Sequence, residues 1–227
     1  MKNVIQMSES IELGVVLAMS GGFMDAYSFV CRGGVFANAQ TGNILLFGVH
    51  LSEGDWGMAL RYFLPIISFA IGIALAEIFR ILFKEKNTLH WRQFSVFVEA
   101  LILFGVCFFP QRYNLIANSL ISFACGIQVE SFRKILGNNA ATTMCIGNLR
   151  SATQNMVSYF ETKKILFLKK SLLYFGIITS FGMGAIIGNF FVKMFQEKSI
   201  CMCTLFLGIA LVMMFVDREL QAQMKEQ

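Results

Sequence analysis

Residues 60–83, LRYFLPIISFAIGIALAEIFRILF, are almost entirely apolar and decide the class of fold. The charged residues among them are Arg61, Glu77 and Arg80. A helix rises about 1.5 Å per residue, so roughly 20 consecutive apolar residues cross the hydrocarbon core of a bilayer. This stretch is long enough, and it predicts a membrane-spanning helix.

Five other segments have a similar composition, so the whole chain is expected to be one all-α membrane bundle. Of the 227 residues, 56% are hydrophobic and 15% are charged, whereas soluble domains carry roughly 25% charged residues. We therefore predict a single integral membrane domain over residues 1–227, in contact with the lipid bilayer. The first apolar stretch is expected to be a retained span rather than a signal peptide. The six predicted spans are Ile11–Val30, Leu60–Phe83, Phe94–Phe109, Tyr113–Ser131, Leu168–Phe191 and Ser199–Val216.

Two segments, Gly33–Leu51 and Gly137–Phe160, are too polar for ordinary spans and too apolar for solvated loops. If neither crosses the membrane, 14 of the 19 Lys and Arg residues lie on the side of the termini and five on the other. If both cross, Arg150 falls within a span and the other basic residues divide evenly. Cytoplasmic loops are enriched in Lys and Arg. The count favours six spans in the bacterial cytoplasmic (inner) membrane, with both termini cytoplasmic.

The two halves of the chain resemble each other. A shift of 105 residues aligns Gly21 with Gly126, and a shift of 112 places SFAIGIALAEIF, from Ser68, on SFGMGAIIGNFF, from Ser180. We predict pseudo-repeats over about 11–110 and 113–217. Each has three spans, and an odd number makes the repeats inverted, as in many secondary transporters. The polar segment of each repeat would be a re-entrant or broken helix. The 105-residue shift also aligns Asp25 with Glu130, Gly42 with Gly147 and Asn43 with Asn148.

Asp25 and Glu130 are candidate residues of a ligand or ion pathway. A carboxylate in an apolar run is costly unless it is paired, hydrated or protonated. The pair could form a proton or cation site. Alternatively, both residues lie near span ends and reach water at the headgroups.

The polar segments supply the other candidates, Gln40, Thr41, Gly42 and Asn43 in the first copy and Gly147 and Asn148 in the second. Asn and Thr hydrogen-bond to nearby backbone, and Gly permits close approach. Such residues suit the start of a half-helix, whose free N–H groups favour polar or anionic ligands. The alternative is that they only satisfy re-entrant backbone.

Other polar residues are predicted to be structural. Glu77 and Arg80 are three residues apart and are expected to form an ion pair. Glu99 is expected to be buried or to snorkel, and the six cysteines to be small buried side chains rather than a metal or redox site. We see no enzyme signature, no metal site, no cofactor motif and no basic surface for nucleic acid.

Two long motifs, GGFMDAYSFVCRGGVFANAQTGNILLFG and CGIQVESFRKILGNNAATTMCIGNLRSATQ, resemble the YoaK family of bacterial membrane proteins. The resemblance covers nearly the whole chain and implies a small multi-spanning protein of unknown function. The family leads us to expect an uncharged residue at Glu130, which argues against an acid pair as a family feature.

The function predicted from these features is a transporter or channel for an unidentified small solute or ion, with Asp25 as the protonatable or cation-coupling group. The alternative is a non-transporting membrane protein for partner binding or assembly, with the basic segment 163–170 as its docking or lipid-contacting surface. Six short spans form a thin bundle, and a homodimer is therefore a further hypothesis.

Overall fold

The computed structural model describes residues 10–83 and 91–226. Lys2, Lys84 and Lys86, three of the basic residues counted on the cytoplasmic side, lie outside these ranges. The described chain is helical, with an isolated β-bridge between Ile135 and Asn138 as its recorded β pairing. The helices are α1 (Ile11–Cys31), α2 (Gln40–Ser52), α3 (Trp56–Phe83), α4 (Trp91–Val106), α5 (Asn114–Ser131), α6 (Cys145–Thr162), α7 (Ile165–Phe195) and α8 (Ile200–Glu226).

Within the described ranges, three helical stretches are long and apolar enough to cross a membrane. They are Ile11–Cys31, Trp56–Leu82 and Ile165–Val216. The third contains both α7 and α8, which are separated by a short 3₁₀ turn at Gln196–Ser199. Large apolar side chains on these helices, such as Ile71 and Ile186, are exposed. Exposed apolar surface of this extent is typical of a protein that faces lipid.

The two ambiguous segments have the same construction, in which an extended stretch is followed by a helix. After α1 the chain turns at Gly33 and Gly34, whose φ values are +86° and +78°. After α5 it turns at Leu136 and Gly137, with φ values of +49° and +72°. Positive φ is easily adopted by Gly, and these turns return the chain toward the helix it has just left. Helix α2 has 13 residues and is about 20 Å long at the helical rise.

Helix packing repeats between the two halves of the chain. α1 packs on α7, and α5 packs on α3. α2 covers α3, and α6 covers α7. α1 also contacts α8, α5 contacts α4, and α4 and α8 contact each other. Every one of these pairings maps onto another, or onto itself, when α1–α4 are exchanged with α5–α8.

Glycines bring α1 and α7 into backbone contact. A Cβ atom at Gly22 would collide with the carbonyl oxygen of Phe181, and one at Gly184 would collide with that of Met19. Small residues allow this close approach between membrane helices.

Glycines also bring α3 and α5 into backbone contact where these two helices cross. A Cβ atom at Gly72 would collide with the carbonyl oxygen of Phe123, and one at Gly126 would collide with that of Phe69. Gly72 and Gly184 are 112 residues apart, as are Phe69 and Phe181. The later shift that we read from the sequence therefore matches these contacts.

The contacts change the first of the two shifts, which aligns α1 with α5, from 105 to 104 residues. Gly22 and Gly126 play the same part and are 104 residues apart, whereas our alignment placed Gly21 on Gly126. Val129 rather than Glu130 thus stands at the position in α5 that matches Asp25 in α1. An alignment by residue type alone could not distinguish the two consecutive glycines of α1.

The structure also corrects the prediction for two of the six cysteines. Cys107, just after α4, and Cys201, in the first turn of α8, form a disulfide. Of the four free cysteines, Cys31, Cys125 and Cys203 are buried, as predicted. Cys145 is partly exposed. Cys107 and Cys201 are 94 residues apart, so sequence proximity gave no sign of the bond.

The same end of the bundle contains a fully buried arginine, Arg32. Its Nε donates to the Tyr27 hydroxyl at 2.7 Å, and its Nη1 donates to Asn114 Oδ1 at 3.1 Å. Its Nη2 donates to the Val106 carbonyl oxygen at 3.3 Å. These bonds tie the end of α1 to the end of α4 and the start of α5, so Arg32 is a structural residue here.

Candidate functional site

The first extended segment reaches the middle of α1. The Asn38 side-chain Nδ2 donates to the Gly21 carbonyl oxygen at 3.1 Å. Its backbone N–H donates to Asp25 Oδ1 at 2.7 Å. Because Gly21 is the eleventh of the 21 residues of α1, helix α2 begins beside the midpoint of α1 and not at its end.

Asp25 holds this segment in place. Its side chain is buried, and the backbone N–H groups of Ala37 and Ala39 help that of Asn38 to stabilise its negative charge. Backbone donors stabilise a buried carboxylate. The cost of placing an acid in an apolar helix is therefore offset by three donors that have no helical partner of their own.

The second extended segment reaches the same place from the other half. A Cβ atom at Gly21 would collide with the methyl group of Thr143. Gln128 Nε2 on α5 donates to the Leu17 carbonyl oxygen at 3.1 Å and to Thr142 Oγ1 at 3.2 Å. Since Leu17 and Gly21 are one turn apart, the approaches to α2 and α6 meet on neighbouring turns of α1.

Three side-chain oxygens in this region are buried and have no protein hydrogen-bond partner. They are Asn38 Oδ1, Gln128 Oε1 and Thr143 Oγ1. The two amides donate their N–H groups to α1, which leaves their oxygens available. Buried polar atoms without a partner are uncommon in native proteins. We take Asn38, Gln128 and Thr143, with Asp25 beside them, as the candidate site and call them the central polar cluster.

Asn43 and Asn148 are both buried, but they bond to their own chain. Asn43 Oδ1 accepts from the Phe36 N–H at 3.0 Å, and its Nδ2 donates to the Phe36 carbonyl oxygen at 2.8 Å. Asn148 Nδ2 donates to the Ala141 carbonyl oxygen at 2.6 Å. Each asparagine reaches back seven residues and fastens its helix to the preceding extended segment, α2 by two hydrogen bonds and α6 by one.

The remaining candidates around the start of α2 have different environments. Gln40 Nε2 donates to the Ala37 carbonyl oxygen at 2.8 Å. Thr41 is exposed. Gly42 faces the ring of Phe36, which a Cβ atom would meet. Gly147, its counterpart in α6, is exposed with open space around it.

Glu130 belongs to a different cluster from Asp25. Its Oε1 lies 3.2 Å from Arg133 Nη1, and Arg133 Nη2 lies 3.7 Å from Glu77 Oε2. Glu77 and Arg80 form the predicted ion pair. These four side chains lie partly exposed at the C-terminal ends of α3 and α5. The geometry does not bring Glu130 to the central polar cluster.

The structure draws attention to residues that sequence reasoning left out of the site. Asn38, Gln128 and Thr143 all lie within the two motifs quoted from the sequence, but none of them was among the predicted site residues. Glu99 on α4 is fully buried, and neither of its carboxylate oxygens has a hydrogen-bond partner. An acid in an apolar run was the available signal for Glu99, but its surroundings could not be read from the sequence.

The fold and the cluster together define a class of protein. It is an all-helical membrane protein in which α2, of 13 residues, and α6, of 18 residues, each follow an extended segment that contacts the middle of α1. Among the described residues, no group of three or more His, Cys, Asp or Glu side chains could hold a metal ion.

Comparison with known proteins places the chain in a family. Residues 13–213 match the model of a family described as a protein of unknown function (DUF1275), and the chain belongs to that family. It is 27% identical over 184 residues to the UPF0700 transmembrane protein YoaK of Bacillus subtilis (strain 168), covering 76% of this chain and 79% of that protein. This confirms the resemblance found in the two motifs. No solved structure matches.

Proposed function

We propose that this protein is a transporter of a small solute or ion, built from two inverted three-span repeats in the bacterial inner membrane. The spans would be α1, α3, α4, α5, α7 and α8. Helices α2 and α6 would each enter partway, α2 from outside and α6 from the cytoplasm. Both termini would be cytoplasmic.

The orientation rests on charge and on the disulfide. Placing the termini inside leaves 14 of the 19 basic residues on the cytoplasmic side, as the positive-inside rule requires. It also places the Cys107–Cys201 bond at the outer end of α4 and α8. Disulfides persist in oxidising compartments and are rare in the cytosol. Two independent features thus favour the same orientation.

The packing supports the inverted repeat. The contacts of α1–α4 exchange with those of α5–α8, and the glycine crossings recur at fixed spacings. Inverted repeats with broken helices near the midplane are a common construction in secondary transporters. In such proteins one repeat rocks against the other to expose a fixed site to each side in turn.

The observation that carries the proposal is the central polar cluster. Irregular backbone at membrane depth is tolerated where it is buried in protein or lines a cavity. Here two irregular segments, together with Gln128 of α5, also present unpartnered amide and hydroxyl oxygens, on Asn38, Gln128 and Thr143. Such oxygens accept hydrogen bonds or coordinate cations. We expect the ligand to be a solute with hydrogen-bond donors or a monovalent cation.

Sided thiol labelling tests the arrangement of the half-helices. Cys145 is the partly exposed free cysteine, and the others are buried or in the disulfide. A Cys145→Ala background therefore suits the experiment without breaking that bond. We expect Ser52→Cys, at the end of α2, to react from outside and Thr162→Cys, at the end of α6, to react from the cytoplasm. Reaction of both from one side would overturn the inverted repeat.

Flux measurements test transport itself. In reconstituted vesicles, we expect Asn38→Leu and Gln128→Leu to abolish solute-driven currents, because both remove oxygens from the cluster. The control is Thr153→Ala, an exposed position on α6. If both variants carry currents as large as those of the wild-type protein, the proposal is contradicted. If these variants are silent and a phenotype depends instead on Lys163, Lys164, Lys169 and Lys170, the protein is an assembly module.

A further inference from the structure

Glu99 is a buried acid without a hydrogen-bond partner in the described bundle. It lies in the middle of α4, about 12 Å along the helix from Trp91 and about 10 Å from Val106 at the helical rise. Its side chain has no exposed surface, and neither Oε1 nor Oε2 accepts a hydrogen bond. Its neighbours one turn away on the inner face, including Val96 and Leu103, belong to the apolar core.

Basic residues do occur on the helices around Glu99, such as Arg80 on α3 and, seven positions away on α4 itself, Arg92. α5 presents the buried thiol of Cys125, and α8 presents that of Cys203, both within electrostatic range of Glu99. α3 meets α4 through Phe79 and Phe94. The charged residues Glu77 and Arg80 of α3 are bonded to each other. No ion pair is recorded for Glu99 within the described ranges.

An isolated carboxylate in such surroundings is too costly to remain charged without a partner. A metal or sodium ion would need several oxygen ligands, whereas the residues one turn from Glu99 on the inner face of α4, Val96 and Leu103, are apolar. A proton requires no further ligand and neutralises the charge at the oxygen itself. The surroundings of Glu99 therefore fit a proton better than any larger cation.

Glu99 is connected to the central polar cluster by a single residue. The charges of both Glu99 and Asp25 act on the Cys125 thiol, whose Sγ lies 3.6 Å from the Sδ of Met24, the neighbour of Asp25 in α1. Asp25 is different from Glu99, because backbone N–H groups satisfy its carboxylate. Of these two buried acids, Glu99 is the one whose carboxylate has no hydrogen-bond partner among the described residues.

We propose that Glu99 is a proton-binding site and that the proton is the ion coupled to solute movement. This inference rests on the proposed transport function. Binding and release of the proton at Glu99 change the charge behind Cys125, next to the segment that begins α2. Movement of that segment would then connect the proton to the solute site.

Infrared spectroscopy of the full-length protein in lipid vesicles tests the proton site directly. We expect a carbonyl-stretch band of a protonated carboxyl group that is lost at alkaline pH and is absent in Glu99→Gln. The control Glu53→Gln, at an exposed acid after α2, keeps the band. A wild-type spectrum without this band, or a band unchanged by Glu99→Gln, would overturn the inference.

A second measurement needs no variant. A hydrophobic carbodiimide reacts with protonated carboxyl groups in apolar surroundings, and mass spectrometry locates the adduct. We expect modification at Glu99 and not at Asp25, with less modification as the pH rises. Modification of other acids while Glu99 stays unmodified at every pH contradicts the proposal.

Proton flux separates this inference from the proposed function. Vesicles with an internal pH indicator report proton uptake driven by a solute gradient. If Glu99 binds a proton but the wild-type protein moves neither solute nor protons, transport fails and the proton site stands. If solute flux persists unchanged in Glu99→Gln, transport stands and Glu99 is not its coupling group.

Discussion

The two halves of the molecule share a backbone plan but hold their half-helices with different side chains. In the first half, the carboxylate of Asp25 accepts the N–H groups that precede α2. In the second half, Val129 stands at the matching place on α5, and the neutral amide of Gln128 reaches Thr142 instead. A repeated fold can thus keep its backbone crossings while only one copy retains a charge. The charged copy is therefore the place where a single substitution should have the greatest effect.

The largest effect is expected from Asp25→Ala. It removes the acceptor of the buried Asn38 N–H and the charge that the Ala37 and Ala39 N–H groups help to stabilise, and a buried group left without a partner costs about 1–3 kcal/mol. We expect the free energy of unfolding to fall by several times the loss caused by Glu130→Gln, since exposed ion pairs contribute about 0–1 kcal/mol. Denaturation in mixed micelles measures both.

Asp25→Asn separates anchoring from charge. Asn keeps one acceptor oxygen, so it should recover much of the stability that Ala loses. If Asp25→Ala is no less stable than Glu130→Gln, the carboxylate does not anchor the segment and the contrast between the two halves disappears.

Most of the fold could be predicted from the sequence, because the dominant force, the transfer of apolar residues into lipid, depends on composition. Apolar length located a helix at each of the six predicted spans, and the described helices contain three stretches long and apolar enough to cross a membrane, one of which holds both α7 and α8. The charge of residues such as Arg150 argued against two further spans. The sequence could not predict where in the bundle α2 and α6 begin. Their starting points depend on where Asn38 and Thr143 contact α1, and these tertiary contacts join residues that are far apart in the chain.

The site was less predictable than the fold for a related reason. Asn43 and Asn148 were conspicuous because they recur, yet repeated residues often serve the repeated backbone, as these do. Asn38 and Gln128 have no residue of the same type at the matching position of the other half, so the alignment did not identify them as candidates. The register error of one residue, between Gly21 and Gly22, was enough to pair Asp25 with Glu130.

The glycine crossings should respond equally in both halves. Gly22→Ala and Gly126→Ala each place a Cβ atom against a backbone carbonyl, which cannot move aside as a flexible side chain can. Overpacking of this kind costs about 1–3 kcal/mol, occasionally more. We expect both to lower the thermal stability, while Gly208→Ala, which has open space around it, does not. A large difference between Gly22→Ala and Gly126→Ala would show that the two crossings are not equivalent.

The smallest expected effect concerns the two asparagines that fasten the half-helices. Asn43→Ala leaves both the N–H and the carbonyl of Phe36 without their partner, whereas Asn148→Ala frees only the carbonyl of Ala141. Asn43→Ala also removes the partner of the Gln40 side-chain oxygen, so at about 1 kcal/mol for each lost hydrogen bond it should cost roughly three times as much. Hydrogen–deuterium exchange localises the change, because the Phe36 amide should exchange faster in Asn43→Ala and stay protected in Asn148→Ala. Equal exchange in the two variants would mean that the first half-helix is held by Asp25 alone, and the contrast between the halves would then rest on that one carboxylate.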